Sequence, residues 1–563
     1  MPNNSWIKRL NIVLAVVILM AAGLLFRLFQ KQILEHGNYL AQAEGQYIVK
    51  KELPAQRGKI YASDMFPLAT NRQYYQVLAV PRNIKNPDET AEQLSSILGL
   101  KKSEVFDQIN NDKSYVPPLK HGLTEEEGDK IADLKIRGVL VMPESKRFYP
   151  ENEIASQILG FVNNLGEGQY GVEGYFNEQL RGFGGEISAE KDTKGRLFSI
   201  GEKVDPKDGS DYVLTIDHSI QYQAEEVLKE AIETYQADSG FIGVMDPKTG
   251  AVLAMAGNPT FNPNKYNEVP QGQQEVFNNP GITAAWEPGS VFKPLMMAAA
   301  INEGKVQPDT EGVFSNKITV DSYEIHTATD EAYGKETMTQ VLENSDNVAM
   351  VWLSEQLGKD VEYKYVKDFG FGRKTGIEMD TEATGSVLDV KKWSNTQRAT
   401  ISFGQGISVT PIQLMAAYSA IANGGKLFKP YVIKEVHSTN NHTEQTQAQE
   451  VKRVINTDTS DKLKDMLAAV VDYGHGKKAG VPGYKVAGKT GTAQIPKPGG
   501  GYYEDRHIGS FAGFAPAKDP KFVMLVRLDQ PKNVKWAEES AAPTFGKMNK
   551  WLLEYFRIPP TEQ

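Results

Sequence analysis

The sequence predicts an α+β fold for its C-terminal part: an antiparallel sheet flanked by helices, plus an all-helical lobe. Three patterns carry that prediction. A helix-spaced apolar face over residues 220–235 runs straight into a two-strand signature. A long, mainly helical block covers 286–425, and three more strand-like runs then lead to a closing helix. Ahead of this part the chain predicts an N-terminal membrane anchor and a mixed α/β region.

The anchor is the first element. Ile12–Phe26 is apolar apart from small residues and follows Lys8 and Arg9. Residues 10–29 have about the length that crosses a bilayer as a helix. No Ala-x-Ala-like site follows, so an uncleaved anchor is expected rather than a signal peptide. Residues 1–9 would be cytoplasmic and everything after about residue 30 extracytoplasmic, a single-pass cell-membrane protein. The 563 residues carry a net charge of -9, so no global basic field points to nucleic acid. Without a single cysteine, thiol catalysis, disulfides and Cys-based metal sites are excluded. The eight histidines lack zinc-ligand spacing, so no metal is expected.

Residues 30–209 read as a pedestal of mixed α and β. The strand-like run Tyr75–Val80 alternates with helical stretches at 91–98 and 124–134. A Gly-x-Gly-x-x-Gly match at Gly166, Gly168 and Gly171 lies between a strand-like 157–162 and a helix-like 172–180. A dinucleotide loop needs a following buried parallel strand, which the charged run 186–194 does not resemble, so the match is set aside as a loop.

From 210 to 563 the elements of the main domain follow. Asp217 is placed to cap a helix whose apolar positions are Ile220, Ala224, Val227, Leu228, Ala231, Ile232 and Tyr235. The runs 241–245 and 251–256, joined by Asp246-Pro-Lys-Thr-Gly250, form a β-hairpin signature. Strand-like runs return at 484–495, 506–515 and 521–528. The last helix presents Phe545, Met548, Leu552, Tyr555 and Phe556.

The chemistry sits in three short motifs. Ser-x-x-Lys occurs three times, at Ser5/Lys8, Ser188/Lys191 and Ser290/Lys293. Only Ser290 is followed by a nearly unbroken apolar run, 295–301, that can bury a lysine one helical turn away. A serine hydroxyl needs a neighbouring base, and burial or a second cation can keep a lysine neutral enough to serve. Lys-Thr-Gly also occurs three times, at 248–250, 374–376 and 489–491, and only the third runs into a strand. There its small residues let a substrate backbone pair along the strand, and Lys489 can repel a proton from a second lysine. Ser-x-Asn occurs at Ser345/Asn347, between two helical stretches, and at Ser438/Asn440, in a polar run expected to be a surface loop. Ser290/Lys293, Ser345/Asn347 and Lys489-Thr490-Gly491 together are the motif set of penicillin-binding proteins and class A β-lactamases.

On these residues the chain resembles a class B penicillin-binding protein, a monofunctional peptidoglycan D,D-transpeptidase. Glu287-Pro-Gly-Ser-Val-Phe-Lys293 is similar to the family's active-site sequence, 403–413 to a stretch of its transpeptidase domain, and Leu214–Asp217 to that domain's opening. Arg57-Gly-Lys-Ile60, Arg147-Phe-Tyr-Pro150 and Gly171-Val-Glu173 resemble its pedestal motifs. Ala62-Ser-Asp-Met65 departs from the family's usual turn.

The resemblance implies a penicillin-binding/serine β-lactamase-like domain at 210–563 behind a dimerisation-like pedestal at 30–209. It implies that Ser290 attacks the penultimate D-alanine carbonyl of a stem peptide ending in D-Ala-D-Ala. Lys293 would be the base and Ser345 a proton relay, and Asn347 would hold Lys293 and the substrate amide. Lys489, Thr490 and Thr492 would bind the terminal carboxylate beside Gly491. The backbone N–H groups of Ser290 and Thr492 would form the oxyanion hole. No cofactor is implied. β-Lactam antibiotics and a polytopic membrane glycan polymerase are the implied partners.

Rival readings share the fold or the address. A β-lactamase would carry a deacylating Glu-x-x-Leu-Asn-like stretch where this chain has 379–385, which lacks it. A β-lactam sensor would carry several membrane spans. A bifunctional polymerase would show acidic glycosyltransferase motifs within 30–210, which are not seen there. A silent scaffold would not need the full residue set.

Overall fold

The computed structural model describes residues 4–37, 39, 48–113, 116–191 and 197–560. They fall into two compact units, residues 1–56 with 182–209, and residues 57–181 with 210–563.

In the first unit the apolar run forms the helix Asn4–Phe29, which passes into a π-helical turn at Gln30–Leu34. Its Leu, Ile and Val side chains are exposed, and the helix is long and apolar enough to cross a membrane. The same unit holds a three-stranded antiparallel sheet in the order Ile48–Leu53, Gly185–Lys191, Leu197–Val204. The charged run after Gly185 is therefore an antiparallel strand, and residues 192–194 lie outside the described residues.

The second unit is built on two sheets. The first spans the pedestal and the C-terminal part together. Ile60–Tyr61 and Pro67–Ala79 pair antiparallel, and Val139–Phe148 joins the latter. Asp211–Leu214 then adds to Ile60–Tyr61 in parallel and is itself paired with Ile433–His437. Helix Pro87–Leu98 covers Pro67–Ala79 with Ala91, Leu94 and Leu98 around Val77 and Ala79. Thr124 closes a capping box with Glu127 at the start of Glu125–Asp133.

The second sheet is the five-stranded antiparallel one expected. Its order is Val252–Asn258, Ser239–Met245, Phe522–Asp529, Tyr502–Ala515, Ala487–Pro496. Both faces are buried, and the period-two alternation shows it. Ile242 and Val244 join the core beneath helices His218–Tyr235 and Ala541–Tyr555, while Phe241 and Met245 join the core of the helical lobe. Asp217 caps the first of these helices through Ile220 N–H at 3.0 Å. In the last helix Phe545, Met548 and Leu552 are buried, whereas Tyr555 and Phe556 stay exposed.

One reading of local structure is corrected and two are completed. Residues 157–162 are not one strand: Ser156–Leu159 is a helical turn, Gly160 takes φ 77°, and only Phe161–Val162 is extended. The mainly helical block 286–425 also holds two short strand pairs, Glu311–Phe314 with Gly334–Thr337 and Lys317–Val320 with Tyr323–His326. The polar run after His437 has Ser438 and Asn440 in a surface turn, as expected, followed by a short exposed strand, Thr443–Gln445, paired with Ile433–His437.

Candidate active site

The site is assembled where the helical lobe meets the edge of the five-stranded sheet. Pro288 and Gly289 turn the chain into a short 3-10 segment, Gly289–Phe292, that runs directly into the helix Lys293–Asn302. Gly289 takes φ 61°, a conformation costly for any residue with a Cβ, and donates to Gly404 O at 3.0 Å. That bond fixes the 403–413 stretch against the turn bearing Ser290. Residues 293–301 are buried on every side, so the helix is a core element, and Lys293 enters the interior with it.

The edge strand Ala487–Pro496 lies alongside. A Cβ at Gly491 would stand 2.9 Å from Val291 Cγ1 and 3.1 Å from Pro288 O, so glycine lets strand and serine turn approach. Thr492 and Ala493 come against Gly289. One edge of this strand pairs with Tyr502–Ala515, and it is the last strand of the sheet.

The third motif comes from the lobe. Ser345 holds a left-handed φ of 56° between helices Met338–Glu343 and Asn347–Leu357. Lys293 Nζ donates to Ser345 O at 2.5 Å and to Ser345 Oγ at 3.1 Å. The ammonium is thus held by Ser345, one turn from Ser290. Asn347 Nδ2 donates to His326 O at 3.0 Å and not to Lys293. Lys489 Nζ donates to Thr490 O at 3.3 Å and to Thr490 Oγ1 at 3.4 Å. The Thr492 hydroxyl accepts from Ala537 N–H at 3.0 Å, tying the strand to the turn 536–539.

Electrostatics separate the two lysines from surface ones, since both are fully buried. Burial drives the Lys293 ammonium well below its usual value, and the Lys489 charge pushes the same way; Asp346 and Glu336 oppose. Burial lowers Lys489 to about 7, against a restoring pull from Glu538.

Ser290, Ser345, Asn347, Thr490 and Thr492 open onto one cavity of about 170 Å³. Lys293 and Lys489 lie behind its wall, linked through Ser345 and Thr490. Among the cavity residues that went unsuspected in the sequence are His475 and Glu538, whose Nδ1 and Oε2 stand 2.7 Å apart. The Tyr473-Gly-His-Gly476 loop was the available signal for the first, but only folding brings Glu538 to it. The other Lys-Thr-Gly copies take no part: 248–250 is the hairpin turn, and 374–376 lies in a loop where Thr375 N–H donates to Glu382.

Helix-borne Ser and Lys, a Ser-x-Asn turn and an edge-strand Lys-Thr-Gly around one cavity define the class of serine acyl-transfer domains with the penicillin-binding fold. Residues 240–550 match the penicillin-binding protein transpeptidase domain family, and residues 52–214 match the penicillin-binding protein dimerisation domain family. The chain is 36% identical to stage V sporulation protein D of Bacillus subtilis, over 90% of this chain and 79% of that protein. It is 31% identical to a probable peptidoglycan D,D-transpeptidase, PbpC, of Pseudomonas aeruginosa, covering 98% and 96%. Penicillin-binding protein 3 of Mycobacterium tuberculosis, solved with aztreonam, superposes with a TM-score of 0.71 at 27% identity, covering 91% and 98%. The chain belongs to the class B penicillin-binding proteins.

Proposed function

We propose that the chain is a peptidoglycan D,D-transpeptidase that works through a Ser290 acyl-enzyme and is trapped there by β-lactams. The observation that carries this reading is the burial of Lys293 one helical turn from Ser290, its amine bonded to Ser345. Ser290 Oγ attacks the carbonyl carbon of the penultimate D-alanine, and its proton passes to Lys293 Nζ. The Ser345 hydroxyl, 3.1 Å from that amine, relays the proton to the departing D-alanine nitrogen. Backbone N–H groups of Ser290 and Thr492 receive the oxyanion. Lys489, Thr490 and Thr492 take the terminal carboxylate, Gly491 leaves room for the peptide along the edge strand, and Asn347 holds the substrate amide. An amine from a neighbouring stem peptide then attacks the ester carbonyl and returns Ser290 to its hydroxyl form.

Residues 1–9 are assigned to a cytoplasmic tail, 10–29 to the span, 30–209 to the pedestal and 210–563 to the transpeptidase. The catalytic part is extracytoplasmic, and a polytopic glycan polymerase is the partner assigned to anchor and pedestal. The test is intact mass of the full chain in detergent after benzylpenicillin, wild type beside Ser290→Ala. A stable one-equivalent adduct on wild type alone supports the reading. No adduct, or an equal one on the variant, contradicts it, and rapid turnover of a chromogenic β-lactam indicates a lactamase.

A further inference from the structure

Two carboxyl groups beside Lys293 have no part in the scheme above. Asp346 is wholly buried; its Oδ1 accepts from Val348 N–H at 2.6 Å and Ala349 N–H at 3.1 Å, while its Oδ2 is buried without a donor. Glu336, from the strand Gly334–Thr337, is 2% exposed. Its Oε1 accepts from Asn344 Nδ2 at 2.7 Å, and its Oε2 too is buried without a donor. The two side chains lie within hydrogen-bonding reach of each other. Two ionised carboxylates cannot share such a place cheaply, but one proton between the two orphan oxygens satisfies both.

The charged groups facing this pair are few. Lys293 approaches from the nucleophile helix, with Lys489 beyond it on the edge strand and Glu538 facing Lys489. Glu343 sits half-buried at the end of the adjoining helix. Glu311, on the strand paired with Gly334–Thr337, is exposed and bonded to Lys335.

We propose that Glu336 is a positioning residue for the reaction: its carboxyl shares one proton with Asp346, and this pair sets how tightly the Lys293 amine holds its own proton. The proposal rests on the reading of Lys293 as the base. With the shared proton present the pair carries one negative charge. Once it is lost the pair carries two, and Lys293 holds its proton more firmly. Burial pushes Glu336 up to about 7, so the change falls near neutral pH. Glu336→Gln keeps a donor for Asp346 Oδ2 and can never ionise.

The test uses the full chain in detergent and two readouts. In the pH profile of benzylpenicillin acylation, the acid-limb midpoint of Glu336→Gln should fall by about half a pH unit or more. In thermal unfolding, the melting temperature of the variant minus that of wild type should rise from acid to mildly alkaline pH. The sign follows from a folded proton affinity raised above the unfolded one. The stability Glu336 contributes is complete below its ordinary value of 4.5 and is lost as pH rises through about 7. A difference flat with pH overturns the shared proton, and an unmoved acylation midpoint overturns its action on Lys293. If wild type takes no penicillin, the base reading fails instead, while the melting profile still decides the carboxyl pair.

Discussion

Two clusters of buried charge can be compared within one compact unit. In the pedestal, Glu173 is fully buried, yet Arg147 Nε donates to Oε1 at 2.6 Å and Arg57 Nε to Oε2 at 2.7 Å, with Tyr149 OH at 3.2 Å. Burial alone would push its carboxyl up; the two guanidiniums outweigh that and hold it below its ordinary value. At the site, Lys293 and Lys489 are buried as deeply, but their hydrogen bonds go to Ser345 and Thr490 oxygens and no ion pair among the described residues offsets the burial, so their protons are loosened. Burial is the same in both places, and what differs is the number and sign of partners. Three groups from two other segments lock the pedestal charge as a structural pin. The site leaves its cations underpaired, which costs stability and yields a base.

Perturbing either cluster sharpens this contrast. Lys293→Gln should slow benzylpenicillin acylation about 10²–10⁴-fold, the range for loss of a general base, with the fold retained by circular dichroism. Glu173→Ala strands two buried guanidiniums and should destabilise the protein by about 3–5 kcal/mol in chemical unfolding. If that variant instead unfolds like wild type, the pedestal pin is no pin.

A smaller effect of opposite sign is expected at Lys489. Its proton is bound weakly in the folded state, at about 7, and firmly in the unfolded chain, so stability rises with pH from about 7 to 10.5. Lys489→Met should therefore raise the melting temperature by about 2 °C or more below pH 7, with the gain shrinking toward pH 10. Activity should fall as stability rises. The smallest effect belongs to Thr492→Val, which leaves Ala537 N–H without its acceptor. It should cost about 1 kcal/mol in unfolding.

The motifs were legible because each depends on neighbours in the chain. Ser290 and Lys293 share one helical turn, and the apolar run behind them announces burial. The edge strand at Lys489 announced itself by small residues leading into a β-patterned run. Other features were illegible because they join distant segments. Asp211–Leu214 bridges Ile60–Tyr61 and Ile433–His437 in one sheet, so a boundary read at residue 209 from a change of composition falls just before a shared strand. Glu336 belongs to no motif; only the fold sets it, on the strand Gly334–Thr337, near Asp346. The false dinucleotide match has a local cause. Gly171 takes φ 49° at the start of the short helix that carries Glu173 inward, and a Cβ there would strike Ile158 O.

The central claim is that burial and underpairing make Lys293 a base well below the ordinary lysine range. The pH dependence of benzylpenicillin acylation by the wild-type chain tests it most directly. The rate should reach its plateau well short of the ordinary lysine value of 10.5. A rate that keeps climbing about tenfold per pH unit up to pH 10 would show Lys293 titrating as a solvent-exposed amine, and the account would be wrong.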